Sequence, residues 1–306
     1  MSRGYQPEDQ LDSLVSSRGR EPNAGDPPKT DELREQAPTD GSHSTGRELD
    51  RPGSRTAEAR TVYELRGRTY RLRNSEIATM VELGKFRAVA RKDLAEFAYG
   101  GDNDRVRPDL ENLVRQGLVE MKSIPHEEMG SRQLLTLTKN GHRFLTQTQN
   151  AGKSQALYHG FTKPRDAHHD VDLYRLYQKA AAKIEDHGGR NLRVVLDYEL
   201  KKRLYRDLAK LGSDHSSSDR KHGIAAKHGL QVVRGKIPVP DVRIEYETRA
   251  GERARVDLEL ATGHYRGRNL SEKVRAGFSL YARADDVSKL RRVLDQCELT
   301  AEILSL

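Results

Sequence analysis

The sequence predicts a two-domain chain of mixed α+β and α/β class: a winged helix-turn-helix, then an α/β sandwich, behind a disordered N-terminal tail. Three observations predict it. The composition changes near residue 58. Between residues 60 and 149 the periodicities run helix, helix, helix, strand, loop, strand, helix with short connections. From 168 to 306 a long helix leads into strands interleaved with further helices, and 306 residues suit two domains.

The tail comes first. Six of the eleven prolines fall before residue 56, and none of the five phenylalanines does. Such a segment, taken as 1–58, buries too little apolar surface to offset its ordering entropy. Residues 1–55 hold eight Lys/Arg against eleven Asp/Glu, a net of −3, so the remainder carries +11 of an overall +8. A basic folded body attracts polyanions. The single cysteine, Cys297, allows no intrachain disulfide and no paired-cysteine metal site, as expected of a reducing compartment. No apolar run reaches the roughly 18 residues of a membrane span, and the first residues contain no apolar core of a secretory signal. The expectation is a cytoplasmic protein with no membrane partner.

In the first domain, 60–149, the stretch Glu64 to Arg73 reads as a short strand or arm. Ile77, Met80, Val81 and Gly84 then share a helical face, with Ser75 as cap. RKDLAEFAYG places Leu94, Phe97 and Ala98 inward and ends at Gly100-Gly101. RVRPDLENLVRQG has Val106, Leu110, Leu113 and Val114 at helical spacing, with Pro108 in its first turn and Gly117 as its stop. LVEMKSI alternates as a strand, IPHEEMGSR is polar loop, and QLLTLT is a second strand. Thr138 caps the next helix, TKNGHRFLTQT.

A winged helix sets its third helix in the major groove and its wing beside the phosphates. The third helix here offers Arg105, Arg107, Asn112 and Arg115, residue types that read guanine and adenine bidentately. The strand end and wing add Lys122, His126 and Arg132. Asp109, Glu111, Glu127 and Glu128 oppose them. The expected partner is double-stranded DNA; a winged helix used for protein contact or as a homodimer surface is the alternative.

Residues 150–167 read as a linker, and the second domain as 168–306. HHDVDLYRLYQKAAAKIEDHGG is a helix with Leu173, Leu176, Tyr177, Ala180, Ala181 and Ile184 as its stripe. RNLRVVLDYEL is a strand entering a charged helix, and LGSDHSSSDRKHG (211–223) is a mobile loop. GLQVV is a strand, and VRIEYE and ARVDLEL pair through the turn at Ala250-Gly251. A helix runs from Ser271 to about Ala284, then a further helix, then a final strand, LTAEILSL. His215, His222 and His228 have no ligand spacing that supports a metal. Tyr174, Tyr177, Tyr198, Tyr205 and Tyr281 read more readily as core than as base-stacking groups.

Residues two apart on a strand share a face, so Asp257 and Glu259 point together. Asp241 heads the preceding strand after Pro240. Three carboxylates meeting at one sheet end form a hard-oxygen site suited to Mg²⁺, able to activate water against a phosphate. Lys273, on the next helix, is placed to neutralise the phosphate.

Pro240-Asp241, fifteen residues, then Asp257-Leu-Glu259 resembles the PD-(D/E)XK nuclease pattern, in which a helix precedes a mixed sheet and the acids lie on adjacent strands. With the winged helix, LTKNGHRFL, His168-His169, IPVPDVRIE, VDLELATG and the Lys273–Tyr281 segment, residues 70–285 resemble the replication-relaxation family of plasmids and integrative elements. That resemblance implies a mobile-element DNA-binding protein acting in replication, relaxation or transfer, alongside replication or transfer proteins. It implies Asp241, Asp257, Glu259 and Lys273 as catalytic residues of an Mg²⁺-dependent endonuclease or nickase, with the three acids as metal ligands. The pattern also departs here. If Asp257 is the strand acid, Glu259 takes the lysine place. If Glu259 is the acid, Ala261 does, and only Lys273 can substitute. The rival readings are a winged-helix transcription regulator and an adaptor without catalysis.

Overall fold

In the computed structural model, residues 59–126, 130–150, 152, 154–161, 164–210 and 218–306 are described. The tail 1–58, the wing tip 127–129 with the His126 side chain, and the loop 211–217 lie outside the described residues.

Two short strands, β1 (Thr61–Leu65) and β2 (Arg68–Leu72), form an antiparallel hairpin. Three helices follow: α1 (Asn74–Lys85), α2 (Arg91–Tyr99) and α3 (Asn103–Arg115). The backbone N–H at Arg73 donates to Glu76 Oε2 at 2.8 Å, so Glu76 rather than Ser75 closes the first turn of α1. Asp102 caps α3 through Asp104 N–H and Arg105 N–H. A two-residue strand, β3 (Val89–Ala90), joins β5 (Gly130–Leu137), which pairs in turn with β4 (Val119–His126), in the order β3-β5-β4. Helix α4 (Lys139–Thr148) begins at Thr138, whose hydroxyl accepts from Gly141 N–H at 3.1 Å. A Cβ on Gly141 would lie 2.1 Å from Leu118 O, so only glycine lets α4 approach β4 this closely. Three helices, a small sheet and a β4–β5 hairpin make the winged-helix arrangement. The hairpin strands run further into the stretch expected as loop.

The carboxyl half opens with α5 (Pro164–Asp186), followed by β6 (Arg190–Leu196), α6 (Asp197–Ala209) and α7 (Ser218–Lys227). Then come β7 (Val242–Glu247), β8 (Arg253–Leu260), α8 (Gly267–Arg275), β9 (Ser279–Ala282), α9 (Ala284–Gln296) and β10 (Ile303–Ser305). The sheet order is β10-β9-β8-β7-β6. Strands β6, β7 and β8 are mutually antiparallel, whereas β9 runs parallel to β8 and β10 parallel to β9.

Three expectations change. The helix expected from Ser271 to Ala284 stops at Arg275; Gly277, at φ 81°, turns the chain into β9. Residues 218–223, the end of the expected loop, belong instead to helix α7. GLQVV forms no strand, only a bridge between Val233 and Lys236.

One apolar core runs through both halves. It joins Ile77, Met80, Leu83 and Phe86 to Leu173, Tyr174 and Tyr177 of α5, and onward to Val242, Ile244, Leu258 and Leu260 of the sheet. Phe86 meets Tyr174 edge-on with ring centroids 5.1 Å apart. The expected linker is pinned from both sides: Tyr158 N–H donates to Gly84 O at 2.7 Å, and Val194 N–H to Gln155 Oε1 at 3.1 Å. The opposite face of the sheet is covered by α6 and α7 through Val195, Leu200, Leu204 and Ala225.

Candidate functional site

Strand register builds the site. Val242 pairs with Leu258, so the next position outward sets Asp241 against Glu259. The two residues brace each other across the strands. Asp241 N–H donates to Glu259 Oε2 at 3.3 Å, and Leu260 N–H donates to Asp241 Oδ2 at 3.0 Å. Lys273 enters from α8: its ammonium lies 2.7 Å from Glu259 Oε1 and donates to Val239 O at 2.8 Å. The Tyr265 hydroxyl donates to the same Oε1 at 2.6 Å. From α5, His169 Nε2 stands 3.7 Å from Asp241 Oδ1, an ion-pair distance rather than a hydrogen bond. Asp197, the first residue of α6, donates its N–H to Asp241 O at 3.0 Å.

Two carboxylates this close and this buried cannot both ionise freely. Burial, then the charge of Asp241, pushes Glu259 up to about 7, against the pull of Lys273 and the Tyr265 hydrogen bond. Burial opposes ionisation of Asp241 too, but His169 and Lys273 outweigh it and hold Asp241 below the usual carboxylate range. Burial likewise works against a charged His169, yet Asp241 raises it. Burial and the Glu259 charge lift the Tyr265 phenol. Near neutral pH the cluster therefore pairs an ionised Asp241 with a Glu259 poised to take or give a proton, the condition for acid–base work.

Asp257 lies elsewhere. It sits opposite Arg243 in the register, and that guanidinium grips it at 2.6 and 2.8 Å while also donating to the carbonyls of His228 and Gly229. Arg243 is 3% exposed, so the pair is an internal staple. Ala261 packs with Leu270 and Leu280 in an apolar cluster. Asp241, Glu259 and Lys273 thus come together, and Asp257 does not. Nor does the donor set fit Mg²⁺ as it stands. Three of the four oxygens of Asp241 and Glu259 accept hydrogen bonds, the fourth faces His169, and the lysine ammonium fills the acidic side. Among the described residues no group of three or more potential ligands gathers around one point.

On the winged helix the expected contacts divide. Arg107 is 72% exposed and bonds Glu111 at 2.8 Å one turn on. Arg105 is half-buried, and Arg115 is exposed with its guanidinium on Asn112 Oδ1 at 2.9 Å. Asn112 turns inward: it is 4% exposed and donates to Arg71 O at 3.1 Å and Glu76 Oε1 at 3.0 Å, anchoring the β1–β2 hairpin. Val114, expected inside, is 38% exposed instead. Lys122 pairs with Glu120 at 2.9 Å at the strand surface. Arg132 is internal: it bonds Asp93 at 2.9 Å and lies 3.8 Å from Asp172, whose other partner is Arg283. It ties the wing base to the carboxyl half.

Neither a protein-family model nor a curated protein sequence matches the chain. Among solved structures, the crystal structure of Bacillus subtilis PadR in complex with operator DNA is similar at a TM-score of 0.21 and 17% identity, over 50% of this chain and 88% of that one. A superposition at that level leaves the fold to be read from the chain's own elements. Sequence reasoning overlooked Tyr265. Its one signal is its place six residues beyond Glu259, on the turn that reverses the chain toward α8.

Proposed function

We propose that the chain is a DNA-binding protein of a mobile element, acting in its replication, relaxation or transfer, whose carboxyl half keeps the frame of a PD-(D/E)XK nuclease to hold DNA without cutting it. The charge distribution supports DNA binding: all of the positive excess, +11, lies outside the acidic first 55 residues. A winged helix carries part of that charge, with Arg107 and Arg115 exposed on its third helix. The nuclease-like reading is supported by a helix preceding a mixed sheet, by acids on two adjacent strands, and by a lysine arriving from the next helix. The observation that carries the non-cleaving form is that both oxygens of Glu259 are taken by donors of the chain itself while Asp257 is bound to Arg243 away from the pair.

Gel shifts on duplex DNA test the binding. The logarithm of the affinity is expected to fall linearly with the logarithm of salt concentration; binding that ignores salt, or none, removes the proposal. Supercoiled plasmid tests the rest. It is expected to stay supercoiled with Mg²⁺ or Mn²⁺, for the wild type and for Asp241→Ala alike. Relaxation that needs the ion, stops with chelator and disappears in Asp241→Ala overturns the non-cleaving form and restores an enzyme.

A further inference from the structure

Of the five tyrosines singled out in the sequence, three are core: Tyr174, Tyr177 and Tyr281 are at most 5% exposed. Tyr198 and Tyr205 are not. At 53% and 59% exposure they lie bare on α6, and Tyr205 is the most exposed large apolar side chain among the described residues. Neither ring is buried in the core: Tyr198 has a cationic neighbour in Arg87, and Tyr205 is the more exposed of the two.

The spacing is specific. Residues seven apart share a helical face and stand about 10 Å apart along the axis, roughly the rise of three nucleotides of one strand. Lys201 and Lys202, both exposed, lie between the rings, and exposed Arg206 flanks Tyr205. Two of the three acids of α6 are held by partners off this face, and the third pairs with one of its lysines. Glu199 is held by Arg193 and Arg203, and Asp207 by Lys227 and His228. Asp197, at the start, is paired with Lys201. Arg87 stands 5.1 Å from the Tyr198 ring centroid, which fixes the ring before any ligand arrives. The face also leads to the carboxylate site, because Asp197 N–H is bonded to Asp241 O and Lys201 is raised by Asp197 and Asp241 against the effect of burial.

From this face we infer that α6 is a platform for an unpaired strand of DNA, with bases stacked on Tyr198 and Tyr205, phosphates on Lys201, Lys202 and Arg206, and the strand leading to Asp241. Rings with a cationic border recognise the open faces of bases, which a duplex hides inside its stack. The inference rests on the reading that the chain binds DNA, but it assigns a different strand state to a different surface.

The test uses the full chain and fluorescence anisotropy with labelled oligothymidylate and with a duplex of equal length. The Tyr198→Ala/Tyr205→Ala double variant is expected to bind the single strand about tenfold or more weakly and the duplex within about twofold of wild type. The Tyr198→Phe/Tyr205→Phe pair, which keeps both rings, is expected to match wild type. Thermal melting checks that these exposed substitutions leave the fold intact. Single-strand affinity unchanged in the alanine pair overturns the inference, as does equal loss on both DNAs. So does a wild-type dimer that the alanine pair dissociates without loss of single-strand binding, since the rings then face a second copy. Wild type that binds duplex but not the single strand removes this inference and leaves the function proposal standing; wild type that binds neither removes both.

Discussion

Glu76 and Glu259 are both wholly buried at 0% exposure, and their surroundings differ. Glu76, in the winged helix, receives Arg60 at 2.8 Å, the Arg73 backbone N–H at 2.8 Å and the Asn112 amide at 3.0 Å. Every donor answers a single carboxylate, and the result is a staple between the hairpin, α1 and α3. Glu259 has good donors too, in Tyr265 and Lys273, but a second carboxylate, Asp241, faces it across the strands. That added charge, on top of burial, lifts Glu259 to about 7. A buried acid is therefore no sign of a site. A buried acid facing a second carboxylate beside one lysine is.

The sharpest way to break this contrast is to remove the lysine. Lys273→Met leaves Glu259 and Asp241 facing each other without their cation, and loss of one partner of a buried pair costs about 3–5 kcal/mol. The size of the loss depends on pH. Glu259 already sits above its unfolded value of 4.5. Its favourable contribution is complete below that value and is lost as pH rises through about 7. Removing Lys273 raises it further. Urea unfolding is expected to show the full loss at about pH 8 and a clearly smaller one at about pH 5, where Glu259 is protonated in the folded state. An equal loss at both pH values would mean that Glu259 is not the responding group.

Next in size is Arg132→Met. The guanidinium joins Asp93 to Asp172, and Asp93 keeps Arg175 when it goes. The expected destabilisation is about 1–3 kcal/mol, with the salt dependence of duplex binding unchanged. A lower salt slope at full stability would return Arg132 to the DNA surface.

What the sequence made legible follows from what kind of rule each element obeys. The winged-helix order, the Thr138 cap and the Ala250-Gly251 hairpin turn follow from local spacing and turn chemistry, and the structure contains them. The pairing of Asp241 with Glu259 depends on register, which two-residue periodicity leaves open: Asp257 and Glu259 share a face, and only the Val242–Leu258 pairing decides which one meets Asp241. Lys273 was legible as a cation on the helix after the acids, and it reaches Glu259 from that helix. The α8–β9 boundary depends on Gly277 at φ 81°, inside a run that reads as one helix. Asn112 looks like a base reader by residue type, and the β1–β2 hairpin, invisible to helix periodicity, turns it into an anchor.

Arg107 carries the smallest stability effect and the cleanest functional one. It is 72% exposed, and its partner Glu111 is 63% exposed. An exposed pair one turn apart contributes little to helix stability. Arg107→Ala is therefore expected to leave the unfolding midpoint unchanged. If α3 lies against duplex DNA, the same change removes one phosphate or base contact and lowers the salt slope of duplex binding by about one. The partner acid supplies the control. Glu111→Ala frees Arg107 from its competing carboxylate and removes a negative charge from the same face, so duplex affinity is expected to rise where Arg107→Ala makes it fall. Opposite shifts from two neighbours on one turn, at unchanged stability, place the duplex against this face of α3. Shifts in the same direction, or none, turn α3 away from DNA and leave the winged helix as a protein contact.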